Sequence, residues 1–288
     1  MATSISNYIS NDGTFKPEAN RYHLYLGLGC PFAHRAHMAL FLKGLEDVIS
    51  YSCLHYTKDE NDLWEFNGKD GSDLDVINGY KNIKELYDKT DPTYAARYTV
   101  PVLWDKKNNV IVNNESAQIV VIFNSQFNNI AKHPELNLIP ESIKDKIDQE
   151  NQYYAKNLVF KVYDAVNPDK YSETFDTVFS VLQQLDDKFK SGTKYLLGDS
   201  ITDADIKLWV LLIRFDVVFY GLYKLNYKLV RDYPNLVNYV KRVYQISNIS
   251  KTVNFDHIKG IYYTKATLQD KIIPKGPNND YLNTPLIN

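Results

Sequence analysis

The sequence predicts an α/β domain followed by an all-helical domain. Strand-like and helix-like segments alternate over the first 130 residues, strand patterning fades near residue 143, and apolar residues beyond that point recur at helical spacing. A chain of 288 residues is also long for one compact core and suits two domains. The expected division is an arm over residues 1–20, the α/β domain over 21–130, and the helical domain with a C-terminal extension over 141–288.

Each element has its own signal. Residues 22–26 alternate and are rich in strand formers, so they predict a first strand. Gly27 and Gly29 punctuate the chain before a helix that opens on Cys30-Pro31. Pro31 suits the first helical position, where its missing N–H would have no intrahelical partner anyway. Phe32, Ala36, Ala39 and Leu40 carry the helix to a stop at Gly44. Residues 48–55 predict a second strand. The polar stretch 56–98 contains Gly68, Gly71, Gly79 and Asp91-Pro92, with a helical signal only at 83–86. A loop of that length is uncommon in a compact domain unless it has a function. Residues 100–104 and 110–112 predict a hairpin joined through 106–109, and 116–127 a helix. Strand, helix, strand, insertion, hairpin and helix together make a thioredoxin-like arrangement.

In the second half, Phe175, Val178, Phe179, Leu182 and Leu185 fall on one helical face. Thr202 and Asp205 form a helix start signal, with Ile201 and Ile206 spaced as its hydrophobic staple. Residues 208–219 are apolar nearly all round and predict a buried central helix; 235–245 predict another after Pro234.

Composition narrows the function. With 44% hydrophobic and 24% charged residues and a net charge of −2, the chain is globular and has no footprint of a general nucleic-acid binder. No apolar stretch is long enough to span a membrane; the run at 208–213 is bounded by Lys207 and Arg214. Residues 1–11 are polar and lack the pattern of a secretory signal. Two cysteines, Cys30 and Cys53, are too few for a disulfide scaffold, so a reducing cytoplasm is expected. His23, His37, His55, His133 and His257 show no metal-ligand spacing, and there is no dinucleotide or P-loop fingerprint, so no metal is expected.

Three short motifs carry chemistry. Cys30 sits at a helix start, where unpaired N–H groups and the positive dipole end favour a thiolate. His34 and Arg35, within about a turn, are placed to add positive potential. The position three beyond Cys30 is Ala33, so dithiol exchange within this motif is closed; Cys53, in a strand, reads as structural. A monothiol site must take its second thiol from elsewhere, and glutathione is the obvious donor. Val100-Pro101 opens a strand after a long loop and is a candidate cis peptide whose preceding residue can offer its backbone to a thiol peptide. Asn114-Glu115-Ser116 precedes a helix: Ser116 is placed to cap it, its N–H groups to hold a carboxylate, and Glu115 to hold an ammonium. Together the three fit a γ-glutamyl tripeptide.

Those residues are familiar. Arg21-Tyr22-His23-Leu24-Tyr25, Cys30-Pro31-Phe32-Ala33-His34-Arg35, Thr99-Val100-Pro101-Val102-Leu103-Trp104-Asp105 and Val112-Asn113-Asn114-Glu115-Ser116 resemble the glutathionyl-hydroquinone reductases, the Xi class of glutathione transferases. The likeness continues through Arg214-Phe215-Asp216, Asp232-Tyr233-Pro234-Asn235 and Tyr262-Tyr263 to Pro274-Lys275-Gly276-Pro277. The resemblance implies the glutathione transferase fold, a homodimer, glutathione as co-substrate, and aromatic, quinone-derived thioethers as substrates. It implies Cys30 as nucleophile and Trp64, Arg97, Val100, Pro101, Glu115 and Ser116 as the residues that hold glutathione. Either Tyr262 or Tyr263 would line the hydroquinone pocket. Two departures stand out. Phe32 follows Cys-Pro where the family has tryptophan, and Phe160 stands where the family has an active-site tyrosine, leaving Tyr163, Tyr153 or Tyr154 as substitutes. Two alternatives stay open: a monothiol transferase of Omega type, acting on glutathione mixed disulfides or dehydroascorbate, and a binder of aromatic ligands without turnover.

Overall fold

The computed structural model describes residues 4–265 and 272–286. The chain divides into two compact units, Met1–Asn137 with Lys251–Ala266, and Leu138–Ser250 with Thr267–Asn288.

The first unit is built on a four-stranded sheet in the order β2-β1-β3-β4. Strand β1 (Tyr22–Gly27) pairs in parallel with β2 (Ser50–Leu54), and the crossover between them is helix α1 (Pro31–Leu42). Strands β3 (Val102–Asp105) and β4 (Val110–Asn113) form the expected hairpin, with β3 antiparallel to β1. Helix α3 (Ser116–Ser125) follows. Gly44 closes α1 at φ +63°, a conformation that suits glycine because it has no Cβ. The arm does not trail free. Its Ser6 bridges Asn113, and the Asn7 amide donates to the Val112 carbonyl at 2.9 Å, so it covers the open edge of β4.

The long insertion is irregular except for helix α2 (Lys84–Thr90), which runs further than the 83–86 signal suggested. Buried Asp75 organises it. Its carboxylate accepts the Tyr25 hydroxyl at 2.8 Å and the backbone amides of Ile77, Asn78 and Tyr80 at 3.1–3.3 Å. The insertion therefore closes over a core of Tyr25, Phe66, Leu86, Tyr87 and Trp104, with Trp64 at its margin.

The division into units differs from the sequence expectation at one place. Residues 251–266, assigned to the helical domain, belong to the first unit and carry helix α8 (Phe255–Tyr263). The helix was not legible because Gly260 interrupts its apolar pattern. Its start is nevertheless capped: the Asn254 side chain accepts the His257 amide at 3.0 Å.

The second unit is helical. Helix α4 (Lys144–Tyr154) runs into a wide turn at Ala155–Val159. Helix α5 (Pro168–Phe189) buries Val178, Phe179, Leu182 and Leu185. Helix α6 (Asp203–Arg214) starts where Thr202 and Asp205 cap each other: the Asp205 carboxylate accepts the Thr202 amide at 2.8 Å. It is buried nearly throughout and ends in a wide π turn, Phe215–Phe219, rather than continuing as one α-helix. Helix α7 (Pro234–Tyr244) begins at the expected proline. Among the described residues no helix is long and apolar enough to cross a membrane.

Candidate active site

Cys30 is the N-cap residue of α1, extended at φ −76° and ψ 123°, so the helix begins immediately after it. Its own amide donates to the Gly27 carbonyl at 2.9 Å, folding the turn between β1 and α1. The thiol is partly exposed, and Sγ lies 3.9 Å from the carbonyl oxygen of Val100. Val100 precedes Pro101 through a cis peptide bond, as its position after the loop suggested. Cys53 is buried in β2, and burial pushes its thiol up, away from the thiolate. The two cysteines thus divide as expected into an accessible thiol at a helix start and a buried apolar filler.

The turn before Cys30 is packed so closely that it needs glycine. A Cβ on Gly29 would stand 2.6 Å from the Ile261 side chain and would also strike the His257 carbonyl. Helix α8 therefore presses directly on the turn that leads into Cys30. On its other side, Gly260 admits the Tyr56 ring. Between these elements lies a cleft lined by Gly27, Gly29, Tyr56, Trp64, Val100, His257 and Ile261, among others. His257 is fully buried, and its Nε2 hydrogen-bonds the Asp70 carbonyl at 2.8 Å, fixing α8 to the insertion. Burial holds it neutral by lowering its pKa.

The expected glutathione residues are distributed over the same unit. Trp64 lines the cleft, with the Lys58 ammonium 5.3 Å and the Lys265 ammonium 4.4 Å from its ring centre. Cys30, Arg97, Lys58 and Asp62 are within electrostatic reach of Lys265. Arg97 is exposed, and its carbonyl accepts the Tyr94 hydroxyl at 3.2 Å. Glu115 is exposed at the N-cap of α3, and its amide donates to the Asn113 side chain at 2.8 Å. Ser116 is the first residue of the helix, not its cap, because Glu115 already supplies the extended cap conformation. Phe32, two residues after Cys30, is 38% exposed.

His34 and Arg35 each have a partner within the unit. The Arg35 guanidinium lies 4.9 Å from the Phe32 ring centre, and the buried His34 ring meets the Thr252 hydroxyl at 2.8 Å.

Among the tyrosines, Tyr262 and Tyr263 occupy the last turn of α8 and are both partly buried. Burial raises the Tyr263 hydroxyl pKa. The lining of the cleft at Trp64 takes His257 and Ile261 from this helix rather than either tyrosine. Tyr163 lies in the helical unit, its ring against Phe219 and Tyr223 at 5.5 and 5.9 Å. Phe160, one turn earlier, is 52% exposed. Tyr153 bonds the Gln184 side chain at 2.6 Å, and burial raises the Tyr154 hydroxyl pKa. Among the described residues, no group of three or more His, Cys, Asp or Glu side chains is placed to hold a metal ion.

Sequence reasoning missed Lys58, Lys265, His257 and Ile261. The Asn254 cap was the available signal for the last two; the lysines had none, since their common neighbour Trp64 is set by the irregular insertion.

The chain is similar to known proteins over most of its length. Profiles of the glutathione S-transferase N-terminal and C-terminal domains match residues 29–126 and 168–242. The chain is 37% identical over 271 residues to the glutathionyl-hydroquinone reductase PcpF of Sphingobium chlorophenolicum, covering 92% of this chain and 86% of that protein. The glutathione transferase Xi of Phanerochaete chrysosporium matches with a TM-score of 0.90 at 37% identity, over 97% of each chain. The glutathione-bound structure of YqjG from Escherichia coli K-12 matches with a TM-score of 0.92 at 36% identity, over 99% of this chain and 96% of the other.

Proposed function

Because the chain belongs to the Xi-class glutathione transferases, the family of the glutathionyl-hydroquinone reductases, we propose that it removes glutathione from aromatic, quinone-derived thioethers through a mixed disulfide on Cys30. The observation that carries this reading is the Cys30 thiol at the start of α1, 3.9 Å from the Val100 carbonyl, with Ala33 in place of a second cysteine.

The Cys30 thiolate attacks the glutathione sulfur of the thioether. The new S–S bond forms as the aryl C–S bond breaks; the electron pair passes to the aromatic carbon, which takes a proton, and the hydroquinone leaves. A second glutathione, giving up its thiol proton, attacks the mixed disulfide and releases oxidised glutathione and the Cys30 thiolate. The sum is thioether plus glutathione to hydroquinone plus oxidised glutathione. Helix α1 begins at Cys30 and turns the positive end of its dipole towards that residue. Val100 and Pro101 offer backbone to the cysteinyl residue, Glu115 and Ser116 receive the glutamyl end, and Trp64 and Arg97 hold the rest. Phe32 borders the thiol. The proton comes from a tyrosine, with Tyr262, Tyr263 and Tyr163 as candidates. The proposed working form is a homodimer in a reducing, cytoplasmic setting, where Cys30 stays reduced.

The test is turnover of a glutathionylated hydroquinone such as glutathionyl-menadiol with added glutathione. Equal amounts of hydroquinone and oxidised glutathione are expected, with activity abolished in Cys30→Ser and glutathione binding retained. An active Cys30→Ser enzyme would remove the assigned nucleophile. Phe160, without a hydroxyl, favours one second reading, an Omega-type thioltransferase: no turnover of the thioether, with clear reduction of a glutathione mixed disulfide, would select it.

A further inference from the structure

The Tyr87 hydroxyl is fully buried and uses its full hydrogen-bonding capacity. It donates to the Thr99 carbonyl at 2.8 Å and accepts the Thr99 amide at 3.2 Å and the Asn114 side-chain amide at 2.9 Å. Thr99 leads into Val100-Pro101; Asn114 leads into Glu115-Ser116. One oxygen atom on α2 therefore clamps together the two segments assigned above to glutathione.

The chain of contacts continues outward. The Asn114 carbonyl Oδ1 accepts the amide of Ile5 at 2.9 Å, and the Asn114 amide donates to the Ile5 carbonyl at 2.9 Å. Asn114 is itself buried. Ile5 packs against the same core cluster that holds Tyr87. A continuous line thus runs from Ile5 through Asn114, Tyr87 and Thr99 to Val100, whose carbonyl stands 3.9 Å from the Cys30 thiol.

We propose that Tyr87 and Asn114 are positioning residues for glutathione, and that the N-terminal arm is a working part of the binding site through its backbone pairing with Asn114. This rests on the glutathione reading given above. The physical ground is that a buried polar line is worth most when every member is satisfied, and loses register when one partner is removed. The sequence offered no hint of it: the arm and α2 carry no motif.

The test measures glutathione affinity by calorimetry, and KM and kcat where turnover is established, for three variants. Tyr87→Phe removes only the hydroxyl. Ile5→Pro removes the N–H that Asn114 accepts, and also fixes the local φ and shortens the side chain; Ile5→Val keeps the N–H. Tyr87→Phe removes three buried hydrogen bonds and Ile5→Pro one; about one bond's net worth felt at the binding site predicts a rise of about five- to tenfold in the dissociation constant for each. Ile5→Val should match the wild type, and kcat at saturating glutathione should stay within about twofold. The double variant Tyr87→Phe with Ile5→Pro should fall short of the product of the singles, because both cut one line. Should Tyr87→Phe fold poorly, Ile5→Pro reads the same line from its far end. Unchanged affinity in both variants, with a lowered melting temperature, would make the line structural and overturn the inference alone. A wild-type protein that does not bind glutathione would overturn the glutathione reading and the inference with it.

Discussion

At the scale of single residues, the proton donor is the open part of the chemistry. Tyr262 and Tyr263 are neighbours on the last turn of α8, about 100° apart around a helix, so they face different surroundings. Only the one directed at the leaving group should matter to the step in which the hydroquinone departs. We expect Tyr262→Phe and Tyr263→Phe to divide sharply, one losing about 10²-fold in kcat and the other nearly unchanged, measured by release of hydroquinone under saturating glutathione. Equal, small effects would transfer the role to Tyr163. The placing of Cys30, the proposed nucleophile, at a helix start was legible because its signal is local: a glycine turn, Cys-Pro and a helical period lie within fifteen residues. Trp64, Val100, Glu115 and Ser116 are proposed for glutathione through resemblance. Lys58, Lys265 and the Tyr87–Asn114 line did not, because what brings them to their places is the packing of an irregular insertion rather than any repeating pattern.

At the scale of elements, the strands and most helices followed from periodicity, and α8 did not. The reason is Gly260, which reads as a break yet sits inside a helix because the Tyr56 ring occupies the space a side chain would take. Two effects compete in Gly260→Ala. The helix gains ~1 kcal/mol of propensity. The new Cβ would lie 2.6 Å from Tyr56 Cγ, and such overpacking costs about 1–3 kcal/mol. Because the ring is packed against α8 and stacked on His55, the second effect should win. The variant is expected to unfold at lower urea. It should also turn over a glutathionylated hydroquinone more slowly, since α8 packs on Gly29 next to Cys30. A Gly260→Ala protein more stable than the wild type would show that the Tyr56 contact is soft and that α8 is not clamped there.

At the scale of the whole molecule, stability should depend on pH through histidines buried in the first unit. Burial lowers His23 to about 4 and His37 to about 3, against an ordinary value of 6.5. Both rings are therefore neutral in the fold at pH values where the unfolded chain already binds protons. A folded pKa below the unfolded one means that stability is complete above pH 6.5 and is lost as pH falls from 6.5 towards the folded values, at ~1.4 kcal/mol per pH unit for each histidine. Buried Asp205 and Asp216 act in the opposite sense, since burial raises their pKa, but nearer the carboxylate range. His37 offers the cleaner test. Its Nε2 is buried with no hydrogen-bond partner among the described residues, and its ring packs on Phe41 and Tyr51 at 5.2 and 4.8 Å. His37→Phe keeps an aromatic ring there and removes the proton site, whereas His23 is bonded to Ser50 and Ser52 and its removal would also break those contacts. In urea titrations at pH 7.5 and pH 5, the loss of stability on acidification should be about 2 kcal/mol smaller in His37→Phe than in the wild type. An identical loss in the two proteins would mean that His37 is protonated within the fold and that this part of the core admits water.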